Sequence, residues 1–288
     1  MSGELLAAPD KGGGLFDVFR HRDLLRLIVR KELKVRYRSS VLGLLWSYVK
    51  PGVQFVVFYF ALGVFLGLNK QPNFVVYMFS GIILINFFSE AFGQATRSVV
   101  ANGALVKKIY LPRELFPVSS IWVAIVHFLP QLLILLVACF FFGWSPSFVQ
   151  LAGAVAAFVM VIMLSLGLGL LFAAANVMFR DSENIVDLML MMATWLSPVL
   201  YPWYLVKETL GETFYFFYQL NPMTIAVEIF HAAFWAPTAA VQAAPEGARL
   251  PEHLLSLWLP IGLLISLVIL ILGQTVFRRL EGRFAQEL

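Results

Sequence analysis

The sequence predicts an all-α integral membrane protein: six transmembrane helices, an N-terminal amphipathic helix lying at the membrane interface, and external re-entrant helices. Three observations predict it. Hydrophobic residues make up 60% of the 288 and charged residues 13%, about half the charged share of an ordinary soluble domain. The long apolar runs match the roughly 20 helical residues that cross a hydrocarbon core about 30 Å thick. Runs such as LLILLVACFFFGW, ending at Trp144, show none of the polar/apolar alternation of membrane β-strands, which excludes a barrel.

Residues 1–14, MSGELLAAPDKGGG, are polar and glycine-rich and are expected to be disordered; the pattern of a cleaved signal peptide is missing after them. Residues 15–50 form the interfacial helix and a cytoplasmic lead-in. Arg22, Arg26, Arg30 and Lys34 recur every four residues, while Leu24, Leu27, Ile28 and Val35 occupy a separate face. Like charges at that spacing weaken an isolated helix, so the pattern makes sense beside an anionic surface. Phospholipid headgroups fit it, at about 1 kcal/mol per charge; so does a specific anion, such as a lipid diphosphate, meeting Lys34, Arg36 and Arg38.

The transmembrane domain, 51–277, divides at turn and breaker residues into spans at 51–68, 74–95, 118–142, 148–179, 185–201 and 254–277. The fifth is short and contains Asp187 and Pro198. With the N-terminus in the cytoplasm, 18 of the 21 Lys and Arg fall on that side, leaving Lys70, Lys207 and Arg249 outside; positive loops are retained in the cytoplasm. Both termini, including the tail 278–288, are then cytoplasmic. The external region, 202–253, carries two apolar pieces too short to cross, 214–218 and 223–235, which read as re-entrant helices whose backbone must be satisfied by protein. In the fourth span Gly153, Ala157, Ser165, Gly169 and Ala173 share a four-residue register that lets another helix approach, within the bundle or across a dimer seam.

Charges inside spans are costly and face protein or water. Glu90, Asp187 and Glu228 qualify, Asp187 and Glu183 doubling as helix N-terminal acids for the fifth span. His127 and His231 lack metal-ligand spacing and read as packing residues. The single cysteine, Cys139, offers neither a disulfide nor a cysteine metal site within one chain.

RYRSSVLGLLW followed by Pro51, NGALVKKIYLPRELFP from Asn102, FRDSENIVD from Phe179, SPVLYP from Ser197 and LNPMTIAVE from Leu220 occur in that order. Together they resemble ABC-2 type permeases that export lipid-linked polysaccharides, the O-antigen and teichoic-acid exporters, over about 19–283. The resemblance implies a homodimer in the bacterial inner membrane, working with two nucleotide-binding subunits to move a polyprenyl-diphosphate-linked glycan outward. It implies that ATP and magnesium are bound by the partner and that this chain binds no cofactor of its own; no phosphate loop G-x-x-x-x-G-K-[ST] occurs in it. No nucleic-acid partner is expected.

On that resemblance, Arg30, Lys34, Arg36, Tyr37 and Arg38 are the candidates to receive the lipid diphosphate. The cytoplasmic segment 96–117, with Asn102, Lys107, Lys108, Pro112, Arg113 and Glu114, is the candidate coupling element. Phe55, Phe58, Tyr59 and Phe65, with Tyr201, Trp203, Tyr204 and Tyr218 at the outer mouth, can stack on sugar faces, although interfaces also collect aromatics. Glu228 could help seal the outer gate. The Ala- and Pro-rich stretch at 236–248 departs from the tighter loop expected of such permeases. A membrane enzyme acting on polyprenyl phosphates would need clustered carboxylates for a metal, and an ion-coupled transporter would often show repeated halves; neither pattern is found. An ABC-2 exporter of drugs or small amphiphiles is the alternative.

Overall fold

The fold is a computed structural model describing residues 14–38, 40–67, 71–108, 111–244 and 250–288. The expected disorder of 1–13, and the part of the 236–248 stretch from 245 on, lie outside the described residues. Every regular element among them is helical. Two short helices, α1 (Leu15–Arg20) and α2 (Arg22–Arg36), precede α3 (Trp46–Phe58), which continues as a π-helix to Phe65. Then come α4 (Phe74–Ala101), α5 (Gly103–Lys108), α6 (Leu115–Phe141), α7 (Phe148–Met178) and α8 (Ser182–Trp195). The chain closes with α9 (Trp203–Gln219), α10 (Pro222–Phe230) extended by a π-turn to Trp235, α11 (Ala239–Gln242), α12 (Leu259–Leu280) after a π-turn from Leu254, and α13 (Phe284–Glu287).

Five helices among the described residues are long and apolar enough to cross a membrane: Trp46–Phe65, Phe74–Ala101, Leu115–Phe141, Phe148–Met178 and Leu254–Arg283. They coincide with five of the six expected spans. The first begins earlier than expected, because the apolar LLWSYV stretch is already helical and Pro51 sits inside α3, where it removes one backbone donor. The expected fifth span is α8, whose 14 residues rise about 21 Å, too little for a straight crossing. It stops at Trp195 because Pro198 and Pro202 cannot donate and bias the residues before them away from helix.

The freed carbonyls of that break are satisfied by protein. Trp195 O accepts from the Tyr201 hydroxyl at 2.7 Å, and Leu196 O accepts from Thr224 at 3.3 Å and Asn221 at 3.5 Å. The Tyr77 hydroxyl reaches Pro198 O at 3.2 Å and Tyr201 O at 3.1 Å. Irregular backbone at membrane depth needs this kind of closure. Gly81 allows it, since a Cβ there would stand 3.2 Å from the Val199 Cα.

The centre of the bundle is α4, α7 and the α10 segment, where Val76, Met78, Ile82, Phe92, Ala157, Val161 and Ala226 are fully buried. The small-residue stripe on α7 packs inside the bundle: Gly169 lies on Ala95 of α4, where a Cβ would be 2.5 Å from the Ala95 Cβ, and Gly153 lies on Leu255. A second close approach, between Gly167 on α7 and Leu270 with Gly273 on α12, sets backbone against backbone; a Cβ on Gly167 would stand 2.7 Å from the Leu270 Cα. Such contacts hold membrane helices together through dispersion, because lipid leaves no hydrophobic difference to exploit.

Candidate functional site

The end of the bundle that carries the basic residues is covered by α2. Ile28 is buried against a cluster containing Val99, Leu115, Phe116, Phe277 and Phe284, and Leu24 is half-buried beside it, whereas Leu27 and Val35 are exposed. The helix is therefore docked on protein along one edge only. Lys31 Nζ donates to Asn102 Oδ1 at 2.6 Å, and Ser119 Oγ lies 3.3 Å from Glu32. Burial raises the Glu32 carboxyl above its ordinary pKa, opposed by Lys31 and the Ser119 contact.

The five residues singled out for a lipid diphosphate separate into two groups. Arg30, Lys34 and Arg38 are exposed. Arg36 is exposed as well but its guanidinium reaches inward, and Tyr37 is half-buried: Arg36 Nη1 donates to Glu90 of α4, and the same nitrogen is 3.1 Å from His127 Nδ1 of α6. His127 Nδ1 is 2.6 Å from the Glu90 carboxylate, and its Nε2 is 2.8 Å from the Tyr37 hydroxyl, which is 2.8 Å from Ser47 Oγ at the start of α3. With the Nδ1 proton facing the carboxylate, Nε2 accepts from Tyr37 and Ser47 donates to the Tyr37 oxygen. One polar cluster thus ties α2, α3, α4 and α6 together. His127, read from the sequence as a packing residue, is 3% exposed and is the cluster's centre. The signal that could have located it was Glu90, whose cost within a span required a cationic or hydrogen-bonding partner.

The expected coupling segment, 96–117, runs from the last turns of α4 through the six-residue α5 to the start of α6. Asn102 bridges, its Oδ1 accepting a hydrogen bond from Lys31 while its Nδ2 donates to Ser98 O at 2.9 Å. Lys107 is exposed; the Lys108 side chain lies outside the described residues. After Pro112, Arg113 stacks its guanidinium 5.7 Å from the Phe284 ring centre, and the buried Glu114 accepts from Gln274 Nε2 at 2.9 Å. Leu288 packs over Gly103, where a Cβ would be 3.6 Å away. The C-terminal tail therefore braces the segment, an arrangement that sequence spacing could not reveal because the two parts are over 150 residues apart. On the adjacent rim Arg97 reaches Glu183 at 3.3 Å and Asp187 at 2.5 Å, so both acids pair with a cation as well as sitting near the start of α8.

At the opposite end Tyr77 is a hub. Its ring stacks on His231 at 3.7 Å between centroids and meets Trp235 edge-on at 5.1 Å. Glu228, 1% exposed, lies one turn before His231 with its carboxylate 3.7 Å from Nδ1. Glu228 is interior and lines no open mouth of this chain. Tyr201 is tied to Trp195 and lies 3.4 Å from the Tyr218 hydroxyl, while the Tyr204 hydroxyl accepts from Gln71 at 3.1 Å. The α9 backbone leaves helical geometry at Gly211 (φ 83°, ψ 173°), a conformation essentially confined to glycine. Trp203 and Tyr215, which a straight helix would hold about 18 Å apart, have ring centroids 5.3 Å apart. So α9 doubles back as a helical hairpin.

On α3, Phe55 meets Phe79 edge-on at 5.5 Å and stacks on Tyr59 at 6.2 Å. Phe55, Phe58 and Tyr59 are half-buried, and Phe65 is exposed. Phe55 also lines an apolar cavity of about 290 Å³ between α3, α4 and α6, together with Tyr48, Phe79 and Gln131.

A bundle of long apolar helices, a basic helix docked at one end, a short braced helix beside it and a doubled-back helix at the other define an integral membrane protein. The ABC-2 type transporter family matches residues 23–235, and the chain belongs to that family. It is 26% identical over 264 residues to the O-antigen export system permease protein RfbA of Klebsiella pneumoniae, covering 92% of this chain and 94% of that protein. It is 27% identical over 274 residues to the RfbA protein of Myxococcus xanthus, covering 94% and 98%. The polysialic acid transport protein KpsM of Escherichia coli is 25% identical over 210 residues, covering 69% and 76%.

Proposed function

We propose that this chain is the permease subunit of an ATP-driven exporter that carries a polyprenyl-diphosphate-linked polysaccharide outward across the bacterial inner membrane. The observation that carries the reading is similarity along nearly the full length of O-antigen export permeases. Two copies of the chain work with two copies of a nucleotide-binding subunit that binds ATP and magnesium. Both termini are cytoplasmic, and α8 with the unwound 196–202 stretch makes the fifth of six crossings.

In this reading Arg30, Lys34 and Arg38, being exposed, receive the lipid diphosphate, since two cations on α2 and a third just past its end suit a multiply charged anion. Arg36 and Tyr37 serve instead to fix the end of α2. The corner at Asn102, Lys107, Lys108, Pro112, Arg113 and Glu114 takes up the ATPase stroke and passes it through its contacts with α2 and the C-terminal tail. Phe55, Phe58 and Tyr59 face the glycan path, with Tyr201 and Tyr204 near its exit, and the buried Glu228–His231 pair holds the outer closure. Only 12% of the crossing window containing α3 is buried, which suits a helix that meets substrate or the second copy.

The test is genetic and biochemical. Deleting the gene should strip the polysaccharide from the cell surface and accumulate its lipid-linked form inside; the intact chain should restore export. Surface polysaccharide at normal levels in the deletion strain would refute the reading.

A further inference from the structure

Between α3, α4 and α6 lies a cavity of about 290 Å³ whose described wall is apolar apart from Tyr48 and Gln131. Val56 and Ile134 stand on that wall and are 50% and 45% exposed, so the cavity opens on the lipid-facing surface of the bundle. Its place along α6 gives its depth. Gln131 follows His127 by one turn, about 6 Å, and His127 Nε2 is 2.8 Å from the Tyr37 hydroxyl at the end of the basic helix α2. From Gln131 the wall continues to Ala138, about 10 Å further along the helix. The cavity therefore begins just inside the interface and runs on into the hydrocarbon.

Gln131 indicates what enters it. Its Nε2 donates to His127 O at 3.1 Å, which fixes the orientation of the amide, and its Oε1 is buried with no hydrogen-bond partner; the residue is 6% exposed. An amide oxygen held away from water without a donor is costly, and the hydrocarbon region supplies none. A fitting ligand brings hydrocarbon to the wall and one donor to the oxygen. Ionised carboxylates and phosphates only accept, and an ammonium pays heavily for leaving water at that depth. A hydroxyl donates without charge. An engineered apolar cavity of roughly 150 Å³ holds benzene, and by that measure 290 Å³ takes about a dozen carbons, one chain rather than two. We propose that this cavity is a lipid site for a long-chain alcohol, its chain lying between α3 and the α4–α6 pair and its hydroxyl donating to Gln131 Oε1. Bound there, the alcohol fills the gap behind α3, whose crossing window is only 12% buried, and clamps that helix to the bundle. The alcohol site does not depend on the permease reading, and it adds a neutral lipid to the molecules this chain recognises.

The test uses the full chain in phospholipid nanodiscs with a dodecanol analogue carrying a photoreactive diazirine on its chain, the labelled residues being mapped by mass spectrometry. Labelling should saturate and fall on α3 and α6 at the cavity wall. Dodecanol or farnesol should compete at least fivefold better than dodecane or ionised dodecanoate, and the ratio of the two alcohols tells a straight chain from a branched one. Gln131→Leu keeps the size and removes the acceptor, so it should weaken labelling at least fivefold. Gly52, on the wall, has nothing within 4 Å of an added Cβ; Gly52→Leu therefore occupies the space without displacing backbone and should abolish labelling. Dodecanol should also raise the thermal midpoint of the wild type and leave that of Gln131→Leu unchanged. The competition series needs no variant and decides alone if either substitution disturbs folding. Dodecane competing as well as dodecanol, unchanged labelling in Gln131→Leu, or label found only away from the cavity would overturn the proposal.

Discussion

Glu90 holds two partners, Arg36 and His127, so its neutralisation should release α2 rather than merely soften the bundle. Replacing it by Gln removes charge assistance from hydrogen bonds of a kind that contribute about 1.5–3 kcal/mol, and the thermal midpoint should fall by several degrees. In an Ile28→Cys background, where the native side chain is 5% exposed, the same substitution should speed thiol labelling several-fold; unchanged labelling would mean that α2 is held elsewhere. Glu32 gives a pH dependence of known sign. Its carboxyl titrates above the ordinary value when α2 is docked, so docking binds the proton. The cost of its charge is full above the raised pKa, shrinks as pH falls through it, and vanishes below the ordinary carboxylate pKa. Acidification should therefore raise the midpoint of the wild type through that window, and Glu32→Gln should flatten this dependence. At this scale the sequence was informative about residue type but not about partnership. The basic face of α2 was plain, yet nothing in a spacing of four distinguishes Arg36, which reaches 54 residues along the chain to Glu90, from Arg30 and Lys34, which face outward.

Elements differ in how fully local chemistry specifies them. The long spans were legible because lipid demands unbroken apolar helices, and the start of α7 carries its own signal in the reciprocal Ser147–Gln150 capping box. The α9 hairpin was not legible, since the sequence marked only 214–218 as a short apolar piece and the fold-back shows only in the tertiary contact of Trp203 with Tyr215. Gly211→Ala should cost about 1–3 kcal/mol for an L-residue in that backbone region, although no atom lies within 4 Å of the new Cβ. With cysteines replacing Trp203 and Tyr215, a short bifunctional cross-linker should join the limbs readily, and at least tenfold more slowly when Gly211→Ala is added. Equal rates would show that the hairpin does not depend on the glycine. The fifth span illustrates the same limit from the other side: apolar composition pointed to a crossing, while two prolines ended the helix at Trp195.

At the scale of the whole molecule the bundle depends on backbones in contact. Gly167→Ala places a methyl 2.7 Å from the Leu270 backbone, where side-chain adjustment cannot relieve it. The overpacking should cost about 1–3 kcal/mol and reduce the monodisperse fraction after detergent extraction; wild-type behaviour would mean that α7 and α12 can move apart freely. The register of small residues on α7 was visible in the sequence, but which neighbours filled it was not, because helix–helix pairing in a bundle is set by the whole set of spans.

The most direct measurement is the ATPase rate of this chain purified with the proposed nucleotide-binding subunit in lipid, with and without a polyprenyl-diphosphate-linked oligosaccharide. The account predicts stimulation by the glycolipid, absent with the free sugar, and its loss when Arg30, Lys34 and Arg38 are replaced by Gln while the complex still assembles. Stimulation by small amphiphiles alone, with no response to the glycolipid, would contradict it.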